Sequence, residues 1–416
     1  MLIQKNCIAN LSALEILDSR GRPTIQCRCT FEDGSSASVS VPSGASTGAA
    51  EALELRDGDP HRFRGLGCQK AVSNIHHVLA PKLERRSFVS QEELDSELLE
   101  IDGTPDKSRL GGNVLLAVSL AFARCLADSW KIPFYQYFSE MFGIKPKMPR
   151  LTVNLFSGGK HAGEQVAVQD VLLVPRRDKI CDSLVVVYEV FQSAVEEIRE
   201  QFGMRALTAD EGGLAPPFTS SVQMLENACS AIERSDLIPG KDVDLAVDVA
   251  STHLYQDGIY LLEEEKKTSL EMVRTLKEWA QRFPLISIED GLHEEDWEYW
   301  PMLHQQLGNQ CLTLGDDLLC TNPKRIRRAM SHSACNALLL KLNQVGTLSE
   351  GAEAYRLARK AGWKVVISAR SGETEDNWLA DLAFGWGADF IKVGSITQSE
   401  RLAKYNRLLE IESSIC

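Results

Sequence analysis

The sequence predicts an α/β protein: a small α+β N-terminal domain followed by a (β/α)8-type, TIM-like barrel. Three observations predict it. The early residues alternate as strands ahead of a long apolar helix. A segment rich in proline and glycine interrupts the chain near residue 145. Beyond it, short aliphatic runs alternate with helical stretches as far as residue 416. We therefore divide the chain into an N-terminal domain, 1–145, with a polar loop that reaches over its neighbour, and a catalytic barrel domain, 146–416. Repeated strand-then-helix units over a segment of that length fit one closed barrel. An open, doubly wound sheet is the alternative, weakened because no Gly-x-Gly-x-x-Gly follows the first strand.

Taken in order, residues 24–31 alternate, Asp33-Gly34 is a hairpin turn signal, and residues 37–41 alternate again. Residues 113–130 carry a broad apolar face through Leu115, Leu116, Val118, Phe122, Ala123 and Leu126 and predict a helix. Gly143, Pro146 and Pro149 mark the break. After it, predicted strands cover residues 243–249, 285–288, 312–314, 337–340, 365–367 and 390–393. Predicted helices cover residues 269–282, 348–360 and 377–384.

Composition narrows the function classes. Hydrophobic residues make up 44% and charged residues 25%, the usage of a globular chain, which excludes disordered, collagen-like and coiled-coil architectures. The formal net charge of −13 repels phosphate backbones, so nucleic acid is excluded as a primary partner. No uninterrupted apolar run approaches the roughly 18 residues that span a bilayer, so no transmembrane segment is expected. Residues 1–6 lack the charged and apolar regions of a signal peptide. The 11 cysteines are scattered and form no Cys-x-x-Cys pair. Free, mostly buried thiols and a cytoplasmic location are the expectation.

The chemistry sits where strands end. Asp248 closes the run at 243–249, Glu289 follows 285–288, and Asp316 follows 312–314. Lys341 follows 337–340, Arg370 and Ser371 follow 365–367, and Lys392 lies within 390–393. A barrel gathers its C-terminal strand ends on one face, where active sites are built. Three carboxylates and three cations would converge there. Carboxylates so gathered repel unless a cation lies between them, and an all-oxygen ligand set favours a hard ion, Mg2+ before Mn2+. A lysine beside such an ion and other cations is expected to have a lowered pKa and to act as a base. Asp210-Glu211-Gly212-Gly213 adds adjacent carboxylates at a glycine turn. Residues 157–163 and 43–48 read as polar loops, the latter able to carry hydroxyls to a metal or phosphate. The histidines at 61, 76, 77, 293, 304 and 332 lack metal-ligand spacing and read as surface or packing residues.

Longer motifs carry a resemblance. Leu17-Asp18-Ser19-Arg20-Gly21-Arg22-Pro23, Val41-Pro42-Ser43-Gly44-Ala45-Ser46-Thr47-Gly48 and the segment 51–59 lie in the first domain. Asp210-Glu211-Gly212-Gly213, Ser287-Ile288-Glu289-Asp290, Asp316-Asp317-Leu318, the segments 321–326 and 338–344, Arg370-Ser371-Gly372-Glu373-Thr374-Glu375-Asp376 and the segment 399–406 lie in the second. In this order and end to end, the chain resembles the enolases, glycolytic lyases whose superfamily is known for a lysine-plus-magnesium site.

The resemblance implies reversible dehydration of 2-phosphoglycerate to phosphoenolpyruvate. It implies Lys341 as the base at C2 and Glu211 as the acid at the C3 hydroxyl. It implies Asp248, Glu289 and Asp316 as ligands of a first Mg2+, and Ser46 as a ligand of a second. It implies Arg370 and Ser371 at the phosphate, Gln169 and Lys392 on the substrate, and His161 in the loop over it. The partner implied is a phosphorylated small molecule, and the assembly a homodimer or higher homo-oligomer.

Two departures touch the site. The family has glutamate after the glutamine where this chain has Gln169-Asp170, and histidine where this chain has Ala369 between Ser368 and Arg370. Aspartate sets its carboxylate about 1.5 Å back, and a misplacement of about 1 Å can cost on the order of 10²-fold. Ala209 for glycine, Gly291 for proline and His253 for glutamate are lesser changes. Two other functions compete with the enolase reading. One is a paralogue acting on a modified 2-phosphoglycerate, such as a phosphonate-pathway carboxyphosphonoenolpyruvate synthase. The other is a weakly active scaffold or binding protein, which retention of Lys341, Glu211 and three metal carboxylates argues against.

Overall fold

The computed structural model describes residues 6–44, 48–308 and 310–415. Its N-terminal part is an antiparallel sheet of β1 (Asn6–Leu17), β2 (Pro23–Phe31), β3 (Ser36–Ser40) and the two-residue β4 (Ser87–Phe88), in the order β3-β2-β1-β4. Asp18 makes the first turn: its Oδ1 accepts the backbone N–H groups of Arg20 and Arg22, both at 2.8 Å. Ile25, Cys27, Cys29 and Phe31 alternate onto one buried face, which packs against the helix Gly112–Ser129. That helix is long and apolar enough to cross a membrane, yet it is buried in this domain's core. The described cysteines are free thiols.

The second part is a closed barrel. Its strands are β5 (Arg150–Ser157), β6 (Asp170–Pro175), β7 (Val243–Asp248), β11 (Leu285–Glu289), β12 (Leu312–Gly315), β13 (Ala337–Leu340), β14 (Lys364–Ser368) and β15 (Phe390–Gly394). A small outer sheet of β8 (Tyr255–Gln256), β9 (Ile259–Leu262) and β10 (Glu265–Lys267) lies between β7 and β11 in the chain. Leu172, Val174, Ala246, Leu314, Ala337, Leu339, Val366 and Phe390 fill the barrel interior. The alternate residues, such as Leu338, Leu340, Val365 and Ile367, join the outer core beneath the helices.

The expected strand-then-helix alternation fails at the start of the barrel. β6 runs antiparallel to both β5 and β7. No α-helix joins β5 to β6, and two helices, Ile180–Phe202 and Ser221–Arg234, separate β6 from β7. Neither β5 nor β6 stood out in the sequence. Both are buried on both faces, so they show no alternation, and an antiparallel neighbour needs no crossover helix to mark it. The inversion decides what reaches the mouth: Ser157 at the end of β5, Asp170 at the start of β6 and Asp248 at the end of β7 lie side by side.

The two parts meet at Gly372, which exchanges backbone hydrogen bonds of 2.8 and 3.0 Å with Ser43. A Cβ on Gly372 would lie 2.3 Å from Asp18 Oδ2 and 2.7 Å from the Ser43 carbonyl. Gly372→Ala should therefore cost about 1–3 kcal/mol and lower the thermal unfolding midpoint. An unchanged midpoint would show that the junction opens freely.

Candidate active site

Each of the remaining barrel strands ends in a charged or polar residue at the same mouth. Asp248 ends β7 and pairs in register with Glu289, which ends β11. Asp316 and Lys341 follow β12 and β13 directly, and Ser368, at the end of β14, pairs with Lys392 of β15. Depth differs along the strands, so Lys392 reaches inward while Arg370 and Ser371 stand at the rim.

The cations sit among the carboxylates. Lys392 Nζ donates to Asp248 Oδ2 at 2.8 Å and to Glu289 Oε1 and Oε2 at 2.9 and 2.8 Å. Lys341 Nζ donates to Asp316 Oδ2, whose Oδ1 accepts Gln344 Nε2 at 2.9 Å. Burial works against the Asp248 carboxylate, but Lys392 overrides it and holds Asp248 below the ordinary range. Glu289 is pushed well up by burial and by the facing Asp248. Lys341 differs from expectation. Burial would lower it, but Asp316 outweighs burial and holds the ammonium above the ordinary lysine value. The expected lowering presumed that a metal had taken the carboxylates' charge; here that charge falls on the lysine.

The oxygen-only donors of Asp248, Glu289 and Asp316, all buried, have the chemistry that suits a hard divalent cation, although they accept Lys392, Lys341 and Gln344 here and do not gather their oxygens within 4.8 Å of one another. Gln169 adds an observation: its Nε2 donates to Asp248 Oδ2 at 3.1 Å, while its buried Oε1 has no partner among the described residues. Two other groups do bring ligand atoms within 4.8 Å of one another: His161, Asp170 and Glu211, and Asp290, Asp316 and Asp317. Asp290, however, already accepts the backbone N–H groups of Asp316 and Asp317, at 2.9 and 2.7 Å, and so aims the turn that carries Asp316.

On the other side, Arg370 Nη1 donates to Glu51 Oε2 at 3.0 Å and to Asn343 Oδ1 at 3.1 Å. Ser371 Oγ accepts Arg20 Nη1 at 3.0 Å. Arg401 holds the Arg370 and Ser371 carbonyls at 2.7 and 2.6 Å, fixing the rim from beneath. On the third side, His161 Nδ1 meets Asp170 Oδ2 at 3.0 Å, and its Nε2 faces Glu211 Oε1 at 3.7 Å. Lys341 is anchored by its own backbone: its N–H donates to Thr321 Oγ1 at 2.9 Å, and Thr321 in turn bonds Gln344. Thr321 adopts a left-handed φ of 52°, rare for a β-branched residue and held here by that bonding.

These residues line a small cavity: His161, Gln169, Glu211, Asp248, Asp316, Lys341, Arg370, Ser371 and Lys392 all face it. Glu289 lies behind Lys392 and lines the barrel interior below it. Ser46 lies outside the described residues. Ala369 lines the cavity at 8% exposure. A larger groove of about 1360 Å³, between the loop at 159–167 and the β8–β9 hairpin, shares Gln169 but lacks the lysine–carboxylate set. Glu51, Arg20, Gln344, Asn154 and Asp290 also serve the site, although sequence reasoning assigned them no role. Glu51, Arg20, Gln344 and Asp290 stood inside the quoted motifs, which was their only signal.

The closed barrel thus gathers buried carboxylates, two lysines, an arginine and a serine at one mouth. Two family models match: the enolase N-terminal domain over residues 8–138 and the enolase C-terminal TIM barrel domain over residues 145–416. The chain belongs to the enolase family, whose chemistry is that of lyases.

Proposed function

We propose that the chain catalyses the reversible, Mg2+-dependent dehydration of 2-phosphoglycerate to phosphoenolpyruvate, as a phosphopyruvate hydratase. The observation that carries the reading is Lys341, bonded to Asp316, lining one buried cavity with Glu211, Arg370 and Ser371. Lys341 takes the C2 proton. Glu211 delivers a proton to the departing C3 hydroxide, which leaves as water. Arg370 and Ser371 hold the phosphate, and Gln169, Lys392 and His161 surround the rest of the substrate. Asp248, Glu289 and Asp316 would hold one Mg2+, and Ser46 would contribute to a second. Bound Mg2+ stabilises the negative charge that gathers on the substrate carboxylate once C2 is deprotonated. Lys341 becomes a base when Asp316 spends its charge on a cation instead of on the ammonium.

The reading extends to a homodimer, checked by light scattering, and to a division into 1–145 and 146–416. Purified protein with 2-phosphoglycerate and Mg2+ should produce the ultraviolet absorbance of the enol product. A kcat/KM of about 10⁴ M⁻¹s⁻¹ or better, an ordinary enzyme rate, is expected; no product overturns the reading.

Ala369 favours a second reading, a bulkier relative of 2-phosphoglycerate, because alanine leaves open the space an imidazole would fill. Ala369→His separates the two. For an ordinary enolase the variant holds or raises kcat/KM for 2-phosphoglycerate. For an altered-substrate enzyme it gains on 2-phosphoglycerate from a very low start, and the added volume costs it the true substrate.

A further inference from the structure

The acid side of the cavity is more tightly built than proton delivery by a lone carboxylate requires. Asp170 Oδ1 accepts Asn154 Nδ2 at 2.9 Å and Ser157 Oγ at 2.6 Å, which leaves Oδ2 for His161 Nδ1 at 3.0 Å. The same Asn154 amide donates to Glu211 Oε2 at 3.2 Å. One asparagine therefore spaces two buried carboxylates, and one imidazole spans them with Nε2 facing Glu211 Oε1 at 3.7 Å. The short side chain at 170 makes this possible: it stops at the level of Asn154 and Ser157 and presents a single oxygen to the ring. A carboxylate on Nδ1 fixes the ring's orientation and favours its protonated form, leaving the Nε2 proton pointed at Glu211.

We propose that His161, oriented by Asp170, is the proton reservoir of the acid side, passing a proton from Nε2 to Glu211 for the departing hydroxyl. The inference rests on the dehydration reading. His161 supplies the proton through Glu211, and Asp170, which acts through His161, is a positioning residue. The step balances. Lys341 takes the C2 proton as the C3–O bond breaks and its electron pair leaves with oxygen. His161 Nε2–H passes its proton to Glu211 as Glu211 protonates that oxygen to give water, so Glu211 ends, as it began, a carboxylate, and His161 ends neutral. Solvent recharges His161 and discharges Lys341.

The surrounding charges agree. Burial would lower the imidazole, but Asp170 and Glu211, with Asp248 behind them, override it and raise His161 to about 9. Glu211 is raised by burial but held below its ordinary value by His161, Arg401, Lys392 and Lys341. Burial pushes Asp170 up against the pull of His161 and Lys392. Lys341 and Lys392 share the cavity, and His253 beyond it is lowered by burial and by Lys160. Both directions favour the proton on the imidazole over Glu211 in the resting site.

Two measurements on the full chain test this. In ¹⁵N-histidine NMR without substrate, His161, assigned with His161→Gln, should stay imidazolium up to about pH 9. In Asp170→Asn it should titrate at least one unit lower, toward the ordinary value of about 6.5. In kinetics with 2-phosphoglycerate and Mg2+, Asp170→Asn should slow elimination at least about 10-fold more than it slows C2-proton exchange. The basic limb of its pH profile should move to lower pH, because the proton is lost more readily without Asp170. Asp170→Glu, which keeps the charge, should restore the limb. A wild type that exchanges and eliminates while His161 titrates near 6.5 overturns this proposal alone. So does a variant whose exchange and elimination fall equally with an unmoved limb. A wild type that does neither overturns the dehydration reading and this proposal with it.

Discussion

Lys341→Ala should abolish exchange of the C2 proton of 2-phosphoglycerate with solvent, and elimination with it, by about 10²–10⁴-fold or more. The expectation follows from where the amine lies. Its Nζ is bonded to Asp316, its backbone is fixed by Thr321, and it shares a cavity with Glu211 on the opposite side. Glu211→Gln should separate from it. The amide removes the acid and leaves the base, so elimination should slow more than exchange. Proton NMR of the substrate in deuterated buffer reads both steps at once. Exchange at the normal rate in Lys341→Ala would place the base elsewhere on the mouth.

The variant also probes the site's electrostatics. Removing one partner from a buried ion pair costs about 3–5 kcal/mol, because the remaining charge is left in a poor solvent. Lys341→Ala should therefore unfold at lower temperature than the wild type in metal-free buffer. Mg2+ should restore much of the difference by neutralising the same carboxylate. A stability loss that Mg2+ does not reverse would mean that Asp316 faces no bound cation.

The architecture was legible where the chain obeys simple periodicity and hidden where it does not. The hairpin at β2–β3, the helix at Gly112–Ser129 and the later barrel strands announce themselves through alternation, apolar faces and short aliphatic runs bounded by helices. β5 and β6 do not. Thr152, Asn154 and Ser157 interrupt the apolar run of β5, and the antiparallel turn into β6 removes the helix that would have separated the two strands. The same inversion explains the reading of the site. The rule that chemistry lies at C-terminal strand ends points to Asp248, Glu289, Asp316, Lys341 and Arg370. It misses Asp170, which reaches the mouth from the beginning of a strand. Residues that work through others, such as Gln344 on Asp316 or Glu51 on Arg370, are invisible to spacing, because their partners lie 28 and 319 positions away in sequence. The state of Lys341 was not legible either, since it depends on whether Asp316 faces an ammonium or a metal.

Asp316→Asn should abolish turnover while the barrel stays folded. An amide is nearly isosteric and can still bond Gln344, so the change removes charge and little volume. Two consequences follow from the one substitution. The cation site falls from three carboxylates to two, and both of those that remain already pair with the single ammonium of Lys392. Mg2+ binding by calorimetry should weaken by at least about 10-fold, the scale on which even a lost supporting contact acts at a metal site. Lys341, freed from the carboxylate that holds its proton, should titrate at lower pH. Activity should still be lost, since without the cation nothing stabilises the charge left on the substrate carboxylate after deprotonation, a contribution worth several kcal/mol. Near-native circular dichroism with unchanged Mg2+ affinity would remove Asp316 from the metal set. Full turnover by metal-stripped wild-type protein would remove the metal from the mechanism altogether.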